Sequence, residues 1–333
     1  MALCIGQGKV PAERFADGAE QKRRFEALMP ELRRAIRGVD AGEGQNWADL
    51  IGLVADAPAP RGVAEFRHYL AALPPLELKL AMLGYHDRGF RAAVGEELFR
   101  AAAVGTERAV KRFKLRAAAL GRPGQGQAGP LVNLPAGLAA ERTLAILDAL
   151  PEALYLVRPG ASEVLARAAV DATGVAELTS PEAAVQQLTR GIIPSFGPDV
   201  SEVVLVPTLV FAPWTLIIEH ESTRIFCFPL PWDEARKGQP EPEVVAVFRA
   251  LGDSTRLRIL RRLASGGPAT FGQLSRELGL AKSTLHQHAL LLRTAGLIRL
   301  RLDSSAGLEL NPDPPDVGRL LADLIQPGGD SSR

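Results

Sequence analysis

Residues 270–296 read TFGQLSRELGLAKSTLHQHALLLRTAG, and this stretch decides the fold. Thr270 followed three residues later by Gln273 is a capping box. The Thr side chain can accept from the Gln273 N–H, and the Gln side chain can reach back. Phe271, Leu274 and Leu278 then recur at i, i+3 and i+7, which makes one apolar stripe on a helix. Gly279 supplies the left-handed residue that closes that helix. The turn Leu280-Ala-Lys282 leads into a second helix, Ser283 to Thr294. On it Leu285, Ala289 and Leu292 share the inward face, while Ser283, Thr284, His286 and Gln287 lie around the other side of its first half. Two short helices joined by a tight turn make a helix-turn-helix.

The flanks complete a larger module. Upstream, Glu243–Leu251 reads as a helix with Val244, Val247 and Phe248 on one face, ended by Gly252. Asp253 is an N-cap for a helix over Ser254–Ala264, with Leu257, Leu260 and Leu263 expected on its buried side. Gly266-Gly267-Pro268 stops it. Downstream, Gly296 ends the second helix of the pair, and Leu297–Leu302 alternates. Ile298, Leu300 and Leu302 face one way and Arg299 and Arg301 the other. Asp303–Gly307 is a turn and Leu308–Leu310 a return strand, which makes a β-hairpin wing. The first half of such a recognition helix enters a major groove, where hydroxyl, amide and imidazole groups meet base edges. Lys282 and Arg293 are expected to meet phosphates, and Arg299 and Arg301 of the wing to meet phosphates or dip into a minor groove. Between Asp253 and Arg301, nine cations stand against two anions, a net +7 in a chain whose net charge is +1. That local field is the footprint of nucleic-acid binding.

These residues resemble the ArsR family of winged-helix regulators. The matching stretches are FRALGDSTRLRIL, residues 248–260, and LHQHALLLRTAGLI, residues 285–298. They cover about a quarter of the chain. The resemblance implies a homodimer on a palindromic operator, most often as a repressor. Dimer contacts would come from Val244, Val247 and Phe248 of the first helix and from Leu320, Leu321 and Leu324 of a helix over Asp316–Ile325. Three features depart from the family. The cysteine pair of metal-sensing members is absent from Thr270–Ser275, so metal sensing is not carried over. Ala281 or Lys282 stands where the recognition helix is usually capped by Ser, which weakens its start by about 1 kcal/mol. Over 230 residues precede the module, a layout similar to an ArsR-type subgroup with a long N-terminal region.

The remainder of the chain reads as mainly helical with minor β-structure (α+β). Residues 12–120 carry helical apolar spacing, as at Phe25, Leu28, Leu32 and Ile36, broken by Pro58, Pro60, Pro74 and Pro75. Residues 121–130, GRPGQGQAGP, are a linker by composition. The formal GxGxxG at Gly124, Gly126 and Gly129 lacks the preceding strand and following helix that nucleotide binding needs. Residues 136–190 are helical again, with Ser180-Pro181 as a helix start. Val203–Val206, Thr208–Phe211, Thr215–Glu219 and Arg224–Phe228 are expected to form a small antiparallel sheet. Residues 230–242 read as a second linker. Two domains follow: 1–236, a dimerisation or effector-sensing region with a sub-boundary at 121–130, and 242–326, the winged helix.

Several side groups invite chemistry, and each has a plainer reading. His286 and His288, two apart on a helix, point to different faces, so neither pairs as a metal ligand. His286 is expected to face DNA and His288 to hydrogen-bond within the domain. Arg108, Lys111, Arg112, Lys114 and Arg116 read as the wet side of an amphipathic helix. Trp47, Trp214, Trp232, Phe196, Phe211 and Phe228 are read as core rather than a pocket lining. Cys227 reads as an inert buried thiol, and with Cys4 it is one of two cysteines, too few for a disulfide framework. Glu219, His220 and Glu221 read as a polar hairpin tip. No nucleophile elbow, P-loop, HExxH or CxxC motif occurs, so no enzyme activity and no cofactor are expected. Val203–Ile218 is too short and too Pro-broken to span a membrane, and no leader segment is seen, so a cytoplasmic location is expected. The sequence thus points to a regulator of transcription that binds double-stranded DNA, with a possible small-molecule effector in the N-terminal region. The alternatives are an enzyme with an appended winged helix, or a winged helix used for protein contact.

Overall fold

The computed structural model describes residues 18–40, 45–58, 63–120, 129–149, 160–209, 212–230, 241–303 and 306–325. Both linkers expected at 121–130 and 230–242, and with them Phe211, Trp232 and Cys4, fall wholly or largely outside these residues. The contacts divide the chain into two compact units. The first comprises Met1–Ala161, Val200–Val204 and Leu216–Phe226, and the second Ser162–Asp199, Leu205–Thr215 and Cys227–Arg333. The division therefore does not follow the boundary expected near residue 236: residues 162–199 cluster with the winged helix.

The first unit is built from helices α1 (Gly18–Glu26), α2 (Pro30–Arg37), α3 (Gln45–Gly52), α4 (Val63–Ala72) and α5 (Pro75–Met82). They are followed by α6 (Arg88–Val94), α7 (Glu96–Val104), α8 (Glu107–Ala119), α9 (Pro130–Asn133) and α10 (Ala136–Ala149). Prolines at the first turns of α2 and α5 sit where a missing N–H costs nothing. Asp87 caps α6 by accepting from the Phe90 N–H at 2.8 Å. Phe25, Ile36, Leu70, Leu80, Phe99 and Phe113 are fully buried in one core. Phe99 meets Phe90, Phe113 and Tyr85 edge to face, with centroids 4.9 to 5.5 Å apart. Lys79, on α5, is also fully buried. Its ammonium donates to the carbonyls of Ala103, Val132 and Leu134. On α8 the buried stripe is Ala109, Phe113 and Ala117, and Arg108, Lys111, Arg112 and Arg116 are exposed around it, the amphipathic helix that the sequence suggested.

Three strands, β2 (Glu202–Thr208), β3 (Leu216–His220) and β4 (Thr223–Pro229), form a sheet in the order β2-β4-β3. The expected all-antiparallel arrangement is not found. The Ser201 N–H donates to Ser222 O and the Leu230 N–H to Thr208 O, so β2 runs parallel to β4 and the sheet is mixed. The reason lies in connectivity: β3 and β4 form a tight hairpin, and β2 joins its far side. The separate strand expected at Thr208–Phe211 is likewise not seen, as Thr208 closes β2 and residues 210–211 are not described. Within the first unit the hairpin tip is more than a polar turn. Glu221 pairs with Arg91 at 2.5 Å and with His86 Nδ1 at 3.1 Å, and buried His220 meets Asp56 at 2.7 Å.

The second unit begins with α11 (Ala161–Leu178) and α12 (Pro181–Leu188). Ser180 caps α12 by accepting from the Ala183 N–H, as its sequence predicts. Strand β1 (Ile192–Ile193) follows. From Pro242 onward come α13 (Pro242–Leu251), α14 (Ser254–Gly266), β5 (Ala269–Thr270), α15 (Phe271–Leu278), α16 (Lys282–Thr294), β6 (Ile298–Arg301), β7 (Gly307–Leu310) and α17 (Val317–Ile325). Their sheet has the order β1-β6-β7-β5. The β6–β7 hairpin is antiparallel, with Leu300 opposite Leu308, and β1 adds in parallel with Ile192 opposite Leu300. The core holds Val247, Ile259, Leu263, Leu274, Leu285, Ala289, Leu292 and Ile298. Leu257, expected inside, is 47% exposed, and Ile259 takes its place. The buried line on α14 runs through Ile259 and Leu263 at i, i+4, one residue out of phase with the leucine spacing. Cys227 is buried, and burial pushes its thiol up to about 11, so it is protonated and unreactive at neutral pH. Phe228 is buried in this unit, while Trp47 packs on the helical core of the first.

Candidate nucleic-acid interface

The helix-turn-helix is built by its caps. Thr270 and Gln273 form the reciprocal capping box at the start of α15. Gly279 at φ 67° closes that helix, because an L side chain rarely adopts this backbone. The Leu280 N–H and carbonyl are both held by Ser275, at 3.0 and 2.6 Å, which fixes the turn. No side chain caps α16 at Ala281, the weak start that its sequence implies. Asp253 caps α14 by accepting from the Arg256 N–H at 2.9 Å, and that bond holds its carboxyl below the usual range.

Recognition helix α16 divides cleanly. Leu285, Ala289 and Leu292 are buried, while Lys282, Ser283, Thr284 and His286 are exposed and Gln287 is half-exposed. His286 stacks one ring face on Phe271, with centroids 4.0 Å apart and planes 14° apart. Burial, and behind it the Lys282 charge, hold its imidazole below the ordinary histidine range, so it is neutral at pH 7. His288 lies 3.8 Å from Asp253 within the domain, and its Nδ1 makes no hydrogen bond.

The cations are distributed unevenly, and several expected contacts change meaning. Arg293 is only 4% exposed and donates to the Thr189 carbonyl, so it offers no surface to a phosphate. The physical reason is helical phase: four residues past Ala289, its side chain leaves the helix on the inward side. Arg301 is held by Asp303 at 2.5 Å and Glu309 at 3.4 Å. Arg299 is half-buried, and Gln186, with its amide oxygen turned toward the wing, accepts from it at 3.2 Å. Arg262 pairs with Glu277 at 2.5 Å, and Arg256 donates to the carbonyls of Ala250 and Arg249. Between Asp253 and Arg301 the exposed cations are Arg258, Arg261, Arg276 and Lys282. The first three were counted in the sequence charge but not singled out as contacts. Their distance in helical phase from Ile259 and Leu274 is the signal that marks them as outward. A concave surface of about 470 Å³, lined by Pro268, Ala269, Thr270, Gln273, Arg301 and Gly307, lies between the start of α15 and the wing.

Of the residues expected at a dimer contact, Val247 is 2% exposed and belongs to the core, and Leu320 packs against that core. Leu321 and Leu324 are exposed, as is Ile325, and no residue of α17 is buried.

Three helices, a tight turn between the second and third, an exposed polar recognition helix and a β-hairpin wing define a winged helix-turn-helix. The chain matches the helix-turn-helix domain family over residues 251–301. It is 38% identical over 79 residues to an HTH-type transcriptional regulator, Rv2034, of Mycobacterium tuberculosis. Those residues are 23% of this chain and 70% of that protein. The chain belongs to the ArsR-type winged helix-turn-helix family, and it carries that family's DNA-binding domain. No solved structure matches it. No described helix is long and apolar enough to cross a membrane.

Proposed function

We propose that this chain is a transcriptional regulator, most simply a repressor, that binds a palindromic operator as a homodimer. The observation that carries the reading is the division of α16: its inward residues build the core, while Lys282, Ser283 and Thr284 are exposed, Gln287 is half-exposed and His286 lies outside against Phe271. Nothing in the packing of the domain needs hydroxyl and amide groups at Ser283, Thr284 and Gln287, whereas base edges in a major groove do. Arg258, Arg261, Arg276 and Lys282 supply the phosphate-facing charge. The exposed Leu321, Leu324 and Ile325 of α17 offer the apolar surface that a second copy would cover. In this reading the chain acts by binding rather than catalysis. A small effector bound in the N-terminal region would act by favouring one dimer geometry over another.

The test is fluorescence anisotropy with the full chain and its own upstream DNA at two salt concentrations. Wild type should prefer that DNA to a random duplex. Ser283→Ala with Gln287→Ala should lose the preference while keeping the affinity for random DNA, and Arg276→Ala with Lys282→Ala should weaken both and flatten the salt dependence. A wild type that binds upstream and random DNA equally, with both double variants indistinguishable from it, overturns the reading.

A further inference from the structure

We infer that Arg293 is a positioning residue for DNA reading: through Thr189 it locks the recognition helix and the wing to a strap, Ser180–Ile193, outside the matched helix-turn-helix domain. The inference rests on the DNA-binding reading, but its geometry stands apart from it. Arg293 leaves α16 one residue before the helix ends, 4% exposed, and its guanidinium donates to the Thr189 carbonyl. Among the described residues no carboxylate forms an ion pair with it. A leucine on that face would pack without the desolvation that a buried guanidinium suffers, so the charge is poorly explained by packing alone.

The strap is shaped to receive it. The Thr189 hydroxyl donates to the Val185 carbonyl at 2.6 Å and accepts from the Ile192 N–H at 3.1 Å, so the residue whose carbonyl faces Arg293 is anchored on both sides through its side chain. Arg190 and Gly191 then take left-handed backbone, φ 57° and 104°. This reversal turns the chain to run beside the wing. There Gly191 O accepts from the Leu300 N–H at 2.8 Å and Ile193 O from the Leu302 N–H at 2.9 Å. A Cβ on Gly191 would lie 3.2 Å from the Ile298 carbonyl, so only glycine lets the strap approach β6 this closely. Gln186 holds Arg299 of the wing, and Arg190 pairs with Glu243 of α13 at 2.9 Å. One short segment thus touches the recognition helix, the wing and the first helix of the module. A base-reading helix and a phosphate-facing hairpin must keep their mutual angle to engage one DNA site, and the strap fixes that angle.

The full chain is tested as Arg293→Met, Arg293→Lys and Gly191→Ala, by amide hydrogen exchange without DNA and by anisotropy with upstream and random duplexes. In Arg293→Met and Gly191→Ala the Leu300 and Leu302 amides should exchange at least about tenfold faster, while Leu292 within α16 stays protected. Affinity for upstream DNA should fall about tenfold, the scale of one lost base contact, with random-DNA affinity little changed. Arg293→Lys, which still reaches a carbonyl, should recover most of both. If Arg293→Met unfolds the module, Gly191→Ala decides, since it lies outside the helix-turn-helix. Unchanged exchange at Leu300 and Leu302 in Gly191→Ala overturns the strap even if the chain reads DNA. Faster exchange with no loss of preference for upstream DNA overturns the positioning role. If wild type shows no such preference, the regulator reading fails, and the exchange measurements still decide whether the strap holds the wing.

Discussion

Each unit of this chain buries a cation that, among the described residues, has no carboxylate paired with it, and the two are housed differently. In the helical unit, Lys79 points its ammonium at three carbonyls, from Ala103 at the end of α7 and from Val132 and Leu134 around α9. Three N–H donors meet three acceptors, so the group is saturated. In the winged-helix unit, Arg293 carries a rigid fork of five donors, and among the described residues the acceptor it meets is the Thr189 carbonyl. Burial lowers both groups, Lys79 to about 8 and Arg293 to about 10. At pH 7 both remain charged, but the lysine stands within reach of a mild alkaline shift. The difference separates two uses of a buried charge. Lys79 ties off helix ends that would otherwise carry unsatisfied carbonyls, whereas Arg293 ties the recognition helix to a segment about a hundred residues earlier in the chain.

The largest effect should come from removing the saturated group. Lys79→Met leaves three buried carbonyls without a donor and should lower stability by about 3 kcal/mol or more in urea unfolding. A loss under about 1 kcal/mol would mean that water or repacking satisfies them, and the contrast with Arg293 would dissolve. A smaller effect separates the two by pH. The folded pKa of Lys79 lies near 8, below its ordinary 10.5, so between these values the unfolded state holds more protons. Stability conferred by wild type relative to Lys79→Met should therefore rise from pH 8 to 10.5 and be flat below 8. Urea midpoints of both proteins at pH 7.5 and 10 give the sign, and a difference that shrinks at the higher pH would show the lysine's charge to be favoured by burial. The smallest effect concerns cations that are neither buried nor saturated. Lys282→Ala should reduce the salt slope of DNA binding by about 1, whereas Arg301→Ala should barely change it, because Asp303 and Glu309 already neutralise that charge. Equal slopes for the two variants, read by anisotropy across a salt series, would remove that distinction.

The winged helix was legible because its signals are local. Asp253, Thr270 with Gln273, Gly279 and Gly296 each mark an element boundary, and the boundaries read from them fall within two residues of those found. Charge was legible as a count but not as a disposition. Of the cations behind the +7, Arg256, Arg262, Arg293 and Arg301 are engaged within the fold, and only helical phase and tertiary partners could have told them from Arg261 or Lys282. Arg293 could have been placed inward from Ala289, four residues earlier. The strap could not: β1 is two residues long, too short to show any period, and its partner β6 lies over a hundred residues away. The parallel pairing of β2 with β4 escaped for the same reason, since strand direction is set by distant partners. The paired tip at Glu221 depends on His86 and Arg91, again remote in sequence.

The parallel strand β1 has a consequence for how the module can be handled in isolation. Without it, β6 would lie at the rim of its sheet, with the amides of Leu300 and Leu302 pointing outward and no acceptor. An uncovered strand edge, with its unpaired N–H and C=O groups, is a template for another copy of itself. A fragment cut at the linker before Pro242 would keep every residue of the helix-turn-helix and lose this cover. It is expected to self-associate through the wing, visible as concentration-dependent sedimentation, while a fragment starting before Ser180 should stay dispersed under the same conditions. The two isoleucines at 192 and 193 thus serve as a hem on the sheet, keeping its outer thread from being pulled into a neighbour.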